Sequence, residues 1–432
     1  MIPTNVSPLA ELEQLVQMRA TALSVDVDTS EGSDRLRDLI DVAVTEWSEE
    51  HHRGQREIGL SDPEGVSNRA FRNLAQYGPL TDLLEDDDVW EIMVNSPDLI
   101  FVRRHSMGSS FHDEVFHDDD HVARTLTKLL DDSSSSHRKL DPTEGLQDAQ
   151  LDNGARIHIV HGDLARGGHL MLNIRKFTGV AITRLDELVN RGSLSTQAAE
   201  FLSAAVRSRL SIIFAGAPGA GKTTLLSCCA AELDPSRRVV IAEEVFEADV
   251  PLANVASMQT RPSRSDRPEI DLRRLVAGFL RMAPDVAIVG EVRDREALPL
   301  LLTLSSGVTG YTTIHAGSAR TALTRLRFVA QLSDAASDLP VAALNNLVSE
   351  AVDLVVHTER GPNGPRVTEI LAVEDHTAGA EAVQFTTTEL FNRISENAEL
   401  QSTGLLPLRA TKELARHGFD VRKLCALAED KR

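Results

Sequence analysis

The stretch LSIIFAGAPGAGKTTLLSCCAAEL, Leu210 to Leu233, decides the fold. LSIIFAG is an apolar run of strand length, KTTLLSCCAAEL reads as a helix, and GAPGAGKT between them fits the GxxxxGK(S/T) pattern of a phosphate-binding loop. Glycines let backbone amides curl around phosphate oxygens, and a helix N-terminus adds partial positive charge. Lys222 would reach the β- and γ-phosphates, and the Thr223 hydroxyl would ligate Mg²⁺. Gly216, Ala217, Pro218, Gly219, Ala220, Gly221, Lys222, Thr223 and Thr224 are the candidate nucleotide-binding residues. Cys228 and Cys229, on the same helix, read as small packing residues.

Outward from this loop, helices and strands alternate, which implies a parallel sheet with crossover helices. The helix TQAAEFLSAAVRSRL precedes it. The strands VVIAEE, VAIVG and YTTI follow, interleaved with DLRRLVAGFLRM capped by Asp271, a helix near Arg295 to Leu304, and SARTALTRLRFVAQL capped by Ser318. PVAALNNLVSEAV, started by Pro340, and the strands DLVVH and RVTEILAVE close the series. Open α/β sheets bind ligands at the carboxyl ends of their strands. Three of these ends carry chemistry. VAIVG is followed by Glu291, placed to hold Mg²⁺ through water or to polarise an attacking water. VVIAEEVFE offers Glu243, Glu244 and Glu247; Glu243 and Glu247 would share a face if the chain turns helical there. One of the three would act as general base or water-positioning residue, and the choice among them stays open. His315 follows YTTI, able to hydrogen-bond the γ-phosphate or Glu291.

Upstream, residues 1–62 read as a helical, acidic extension with a partial apolar face at Leu36, Leu39, Ile40, Val42 and Val44. A small α+β domain is expected over 63–180. It includes a helix in HDDDHVARTLTKLLDD, a loop at Asp131 to Lys139, and a hairpin in AQLDNGARIHIVHGD around Asn153 and Gly154. His158 and His161 lie three apart on a strand, point to opposite faces and do not form a metal pair. A linker at 181–195 leads to the α/β domain over 196–377, and 378–432 is read as a C-terminal appendage.

Composition bounds the function. With 45 Lys+Arg against 65 Asp+Glu the formal charge is −20, and aromatics are 4%, so direct nucleic-acid binding is not expected. Three cysteines, two of them adjacent, suit a reducing cytoplasmic compartment. The sequence shows no secretory signal and no run of about 18 apolar residues, so any membrane contact would be peripheral.

Taken in order, GAPGAGKTT, IAEEVFE, VAIVGEVRD and TTIHAGSARTALTRL resemble the Walker A loop, Asp box, Walker B and His box of the secretion ATPase superfamily, the hexameric motors of type II and type IV secretion and type IV pilus systems. GPLTDLLEDDDVWEIMVNSPD, SMQTRPS and LRMAPD are similar to segments of its CpaF-type branch, which serves Tad-type pilus assembly. The resemblance implies a RecA-like P-loop ATPase core with a smaller N-terminal α+β domain and a helical N-terminal extension. It implies ATP with Mg²⁺, a homo-oligomeric ring of six, an inner-membrane platform partner and peripheral association with the cytoplasmic membrane. It also implies that basic residues of the N-terminal domain approach the phosphates. NGARI and NIRKF carry Arg156, Arg175 and Lys176 at those positions. There are departures: Glu244 stands where Asp is usual, the TGH before the His box appears as Ser306, Gly307 and Val308, and the following Asn is Gly317. The alternative is a motor for conjugative transfer. From other classes come a RecA-like protein acting on DNA and a regulatory nucleotide-binding protein with little turnover.

Overall fold

The computed structural model describes residues 7–104, 108–133, 139–176, 182–261, 268–333, 339–361, 364–375, 384–395 and 398–427. The loop expected at 131–139 has its centre, 134–138, outside them. The chain divides into two units, Met1–Thr178 and Gly179–Arg432.

The first unit opens with α1 (Pro8–Ala22), α2 (Ser30–His52) and α3 (Pro63–Ala75), capped by the side chains of Ser7, Thr29 and Asp62. Leu12, Val16, Leu36, Ile40, Trp47 and Phe71 bury one another between these helices. A third helix, α3, therefore completes the extension, because two amphipathic helices leave an apolar face uncovered. The short α4 (Thr81–Glu85) leads to β1 (Val89–Ser96), β2 (Leu99–Arg104), β3 (Ser109–Phe111), α5 (Asp119–Asp131), β4 (Leu146–Gln150), β5 (Arg156–Val160) and β6 (Met171–Arg175). The strands pair antiparallel in the order β3-β2-β1-β6-β5-β4. Helix α5, capped by Asp118, buries Val122, Leu126, Leu129 and Leu130 against Ile92, Val94, Ile157, Ile159, Leu172 and Ile174. The hairpin around Asn153 and Gly154 joins β4 to β5.

The second unit contains α6 (Leu185–Asn190), α7 (Thr196–Arg207), β7 (Ile212–Gly216), α8 (Lys222–Ala230), β8 (Val239–Glu243), β9 (Val255–Gln259) and α9 (Leu272–Val276). Next come β10 (Val286–Val289), α10 (Ala297–Ser305), β11 (Thr309–Ile314), α11 (Ala319–Gln331), α12 (Val341–Ala351), β12 (Leu354–Gly361) and β13 (Gly364–Val373). The unit ends with β14 (Thr387–Asn392), β15 (Gln401–Ser402), α13 (Leu408–Arg416) and α14 (Val421–Leu424). The sheet order is β15-β14-β13-β12-β7-β11-β10-β8-β9, parallel from β12 through β9 and antiparallel from β12 to β15. Alternate residues of the parallel strands enter two apolar layers: Ile212, Phe214, Ile241 and Ile288 face one, and Ile213, Ala215, Val240 and Val289 the other. Burial on both faces explains why these strands read as unbroken apolar runs.

Two segments differ from expectation. The span 181–195, read as a linker, contains α6, whose Leu185 and Leu188 are buried in the core of the second unit. The residues after 377, read as an appendage, supply β14, which pairs with β13 and buries Leu390 and Phe391 in that core.

Candidate functional site

The parallel register fixes where the site lies. Ile314 of β11 pairs with Ala215 of β7, and Val289 of β10 with Thr312 of β11 and Ala242 of β8. Consequently Gly216, Glu243, Gly290 and His315 all emerge at the carboxyl edge of adjacent strands. β11 lies between β7 and β10. The histidine at its end is thereby flanked by the phosphate loop on one side and Glu291 on the other.

The loop from Gly216 to Gly221 turns into α8 with Gly221 at φ 79°, a left-handed conformation that favours glycine, and an added Cβ there would lie 2.7 Å from Pro365. Arg360 of β12 donates to the Gly219 carbonyl at 3.4 Å, so the β12–β13 hairpin braces the loop from outside. Lys222 opens the helix, is 7% exposed, and donates to the Ala217 carbonyl at 3.0 Å. Thr223 and Thr224 are half-buried in its first turn.

His315 joins the two flanking loops. Its Nε2 is 2.9 Å from Glu291 Oε1, and its Nδ1 is 3.2 Å from both Lys222 Nζ and the Gly216 carbonyl. The Nε2–Oε1 approach is of ion-pair length. In the neutral ring Nδ1 accepts from Lys222; in the imidazolium it donates to Gly216. The imidazole thus touches the lysine, the loop backbone and the Glu291 carboxylate together.

Glu243, the last residue of β8, and Glu244 and Glu247 beyond it do not converge, because the chain leaves the strand as a loop and the shared helical face is not formed. Glu243, 2% exposed, turns Oε1 back to accept from the Glu247 and Ala248 amides at 3.1 and 2.9 Å, and so shapes the loop. Gly290 makes room for it, since a Cβ there would be 2.8 Å from Glu243 Cγ. Glu244 pairs with Arg293 through both carboxylate oxygens, tying this loop to the one after β10. Glu247 is half-buried beside them.

In the first unit, Arg156 and Arg175 are directly opposite each other on β5 and β6, on the sheet face away from the apolar core. Like charges so placed disfavour the sheet unless an anion or acid compensates. Arg175 is exposed and also opposes Glu91, which pairs with Arg103 at 2.7 Å. Lys176 is directed elsewhere: its ammonium donates to the Leu83 and Asp86 carbonyls at 2.9 and 2.6 Å, and burial holds its pKa below the usual lysine value. In place of the phosphate contact expected of it, the ammonium ties the end of β6 to α4 and the turn after it. His158 pairs with Asp148 at 2.7 Å, and His161 lies 3.5 Å from Gln147. Each ring has its own neighbour.

Sequence reasoning overlooked Arg293, His357 and Arg360. Arg293 stood in the quoted VGEVRD, and His357 ended the quoted strand DLVVH as the polar residue of a buried run.

The chain is similar to the probable conjugal transfer protein TrbB of Sinorhizobium fredii, 30% identical over 317 residues covering 70% of this chain and 88% of the relative. It is similar to the type IV secretion system protein PtlH of Bordetella pertussis, 30% identical over 304 residues covering 64% and 87%. Among solved structures it aligns with the VirB11 ATPase of the Brucella suis type IV secretion system at 25% identity, TM-score 0.37, covering 68% of this chain and 94% of that one. It also aligns with the Legionella pneumophila ATPase DotB at 16% identity, TM-score 0.48, covering 68% and 79%. The elements agree with the fold class read from the sequence: an α/β unit whose parallel strands lead into the glycine loop, a smaller α+β unit and a helical N-terminal extension. The family model described as type II/IV secretion system protein matches residues 73–361, and with the phosphate loop, the Glu291 strand end and the His315 turn all inside that span, this chain belongs to that family.

Proposed function

We propose that this protein is an ATP-hydrolysing motor of a secretion or pilus-type machine. The observation that carries the reading is the imidazole of His315, within 3.2 Å of Lys222 and 2.9 Å of Glu291 at one sheet edge. The loop amides and Lys222 would hold the phosphates. Glu291 would orient the attacking water, and His315, which touches both, would change partners when the γ-phosphate arrives or leaves. Glu244, tied to Arg293, would stand at the outer side of the site. Thr223 and Glu291 offer the hard oxygen donors Mg²⁺ prefers, and the ion would neutralise charge on the β- and γ-phosphoryl oxygens. Arg156 and Arg175, directly opposite each other on β5 and β6, would supply positive charge to the phosphoryl group, which a guanidinium can do bidentately.

The assembly would be a ring of six copies on the cytoplasmic face of the membrane, working against an inner-membrane platform protein. Among the described residues no helix is long and apolar enough to cross a membrane, consistent with peripheral attachment. The resemblance to the CpaF-type branch favours Tad-type pilus assembly. The relative named for conjugal transfer favours a transfer motor as the second reading. Steady-state phosphate release tests the core of the proposal: Glu291→Gln should lower kcat roughly 100-fold while ATP still binds. Equal, negligible release from wild type and variant would overturn it in favour of a regulatory nucleotide-binding protein. Salt-sensitive binding to oligonucleotides would instead point to direct action on DNA.

A further inference from the structure

His357 lies outside the four loops of the site yet holds one of them. It belongs to β12, is 4% exposed, and places Nε2 3.3 Å from the carbonyl of Ala316, the residue after His315. A carbonyl only accepts, so Nε2 carries the proton and Nδ1, 2.8 Å from the Thr368 hydroxyl, accepts. Burial holds the ring below the ordinary histidine pKa, with Lys222 also lowering it and Glu359 and the Ala316 carbonyl opposing, which keeps this tautomer neutral.

The neighbouring strand completes the arrangement. His357 pairs with Glu369 and Thr358 with Val367, leaving Thr368 as the extra residue of a β-bulge. Bulges redirect side chains and are common beside active sites. Here the bulge turns the Thr368 hydroxyl onto His357. Glu369, directly opposite His357, accepts from the Ala319 amide at 3.2 Å at the start of α11. The turn from His315 to Ala319 is therefore gripped near both ends by a cross-strand pair, His357 on the Ala316 carbonyl and Glu369 on the Ala319 amide. The same hairpin touches the phosphate loop through Arg360 and Pro365.

We propose that His357 is a positioning residue for nucleotide hydrolysis: by fixing the Ala316 carbonyl it sets the imidazole of His315 between Lys222 and Glu291. The proposal rests on the hydrolase reading above. Two measurements on the full-length protein test it. In phosphate-release kinetics, His357→Leu should lower kcat about 10-fold or more, since small displacements of a reacting group are costly in rate. KM for ATP should stay within about 2-fold, because phosphate binding does not pass through this contact. His357→Gln, whose amide N–H can stand in for Nε2–H, should recover most of the rate. In a His315→Ala background, His357→Leu should cause no further loss. Hydrogen exchange of a peptide spanning residues 312–322, without nucleotide, should be faster in His357→Leu than in wild type. Unchanged exchange with the kinetic loss absent, a loss confined to KM, or one that adds in full to that of His315→Ala would overturn the proposal. Absent phosphate release from wild type, with exchange still accelerated in the variant, would instead reject the hydrolase reading and leave the positioning contact established.

Discussion

Lys176 and Arg175 are neighbours in sequence with opposite surroundings. One ammonium is committed to two backbone carbonyls; the adjacent guanidinium is exposed on a strand end beside another. Replacing Lys176 by Met leaves both carbonyls without that donor and should cost roughly 1–3 kcal/mol of stability in the first unit. Turnover per folded molecule should be unaffected. Urea titration followed by tryptophan fluorescence reads the first effect, because both tryptophans, Trp47 and Trp90, lie in that unit. Phosphate release on the folded fraction reads the second, and a specific fall in kcat would return Lys176 to the phosphate site. The glutamates teach the same lesson. Glu243, Glu244 and Glu247 are indistinguishable as letters at a strand end, and only the path of the following loop turns the first inward and the second onto Arg293.

The elements most legible in the sequence were those with a strong local signal: β7 with its loop and α8, the caps of α5 and α11, and the hairpin at Asn153 and Gly154. Those that differed depend on distant partners. DLRRLVAGFLRM forms only the short α9 and then a 3₁₀ turn at Phe279–Met282 after Gly278, where glycine weakens the helix. β9, half-exposed at the sheet edge, carries no apolar run to announce it. β14 carries polar residues at Thr387, Thr388, Glu389 and Asn392, and its claim on the core rests on pairing with β13. Phe391, fully buried, tests that claim: Phe391→Ala should destabilise the second unit by about 3–5 kcal/mol. Urea titration followed by circular dichroism should show this loss; a change under about 1 kcal/mol would mean that the segment is a separable appendage after all.

Across the whole molecule, acid should act first through buried neutral histidines. His121, 2% exposed in the first unit, is stacked 5.0 Å from His117, and burial together with that neighbour lowers its pKa to about 4. In the unfolded chain it takes a proton below about 6.5. Between these values the unfolded state binds more protons, so stability must fall as pH drops through that window. The loss should reach roughly 3 kcal/mol by pH 4 from the shift of this residue, whose pKa is about 4. Tryptophan-monitored urea titrations between pH 7 and pH 4 should show the decline, and His121→Gln should flatten it. An equally steep decline in the variant would assign the acid response to other groups.

The sequence by itself determined the frame of the proposed nucleotide site: a strand, a glycine loop and a helix in immediate succession leave one local solution, and Glu291 and His315 mark strand ends by their own flanking runs. The mixed α+β character of the first unit and the parallel sheet of the second were also legible in local patterning. The tertiary structure alone decided that β11 lies between β7 and β10, which brings His315 to Lys222 and Glu291, and that β12 and β13 grip its turn. Strand order and register depend on pairing between residues as far apart as Ala215 and Ile314, and no local window of sequence carries that information.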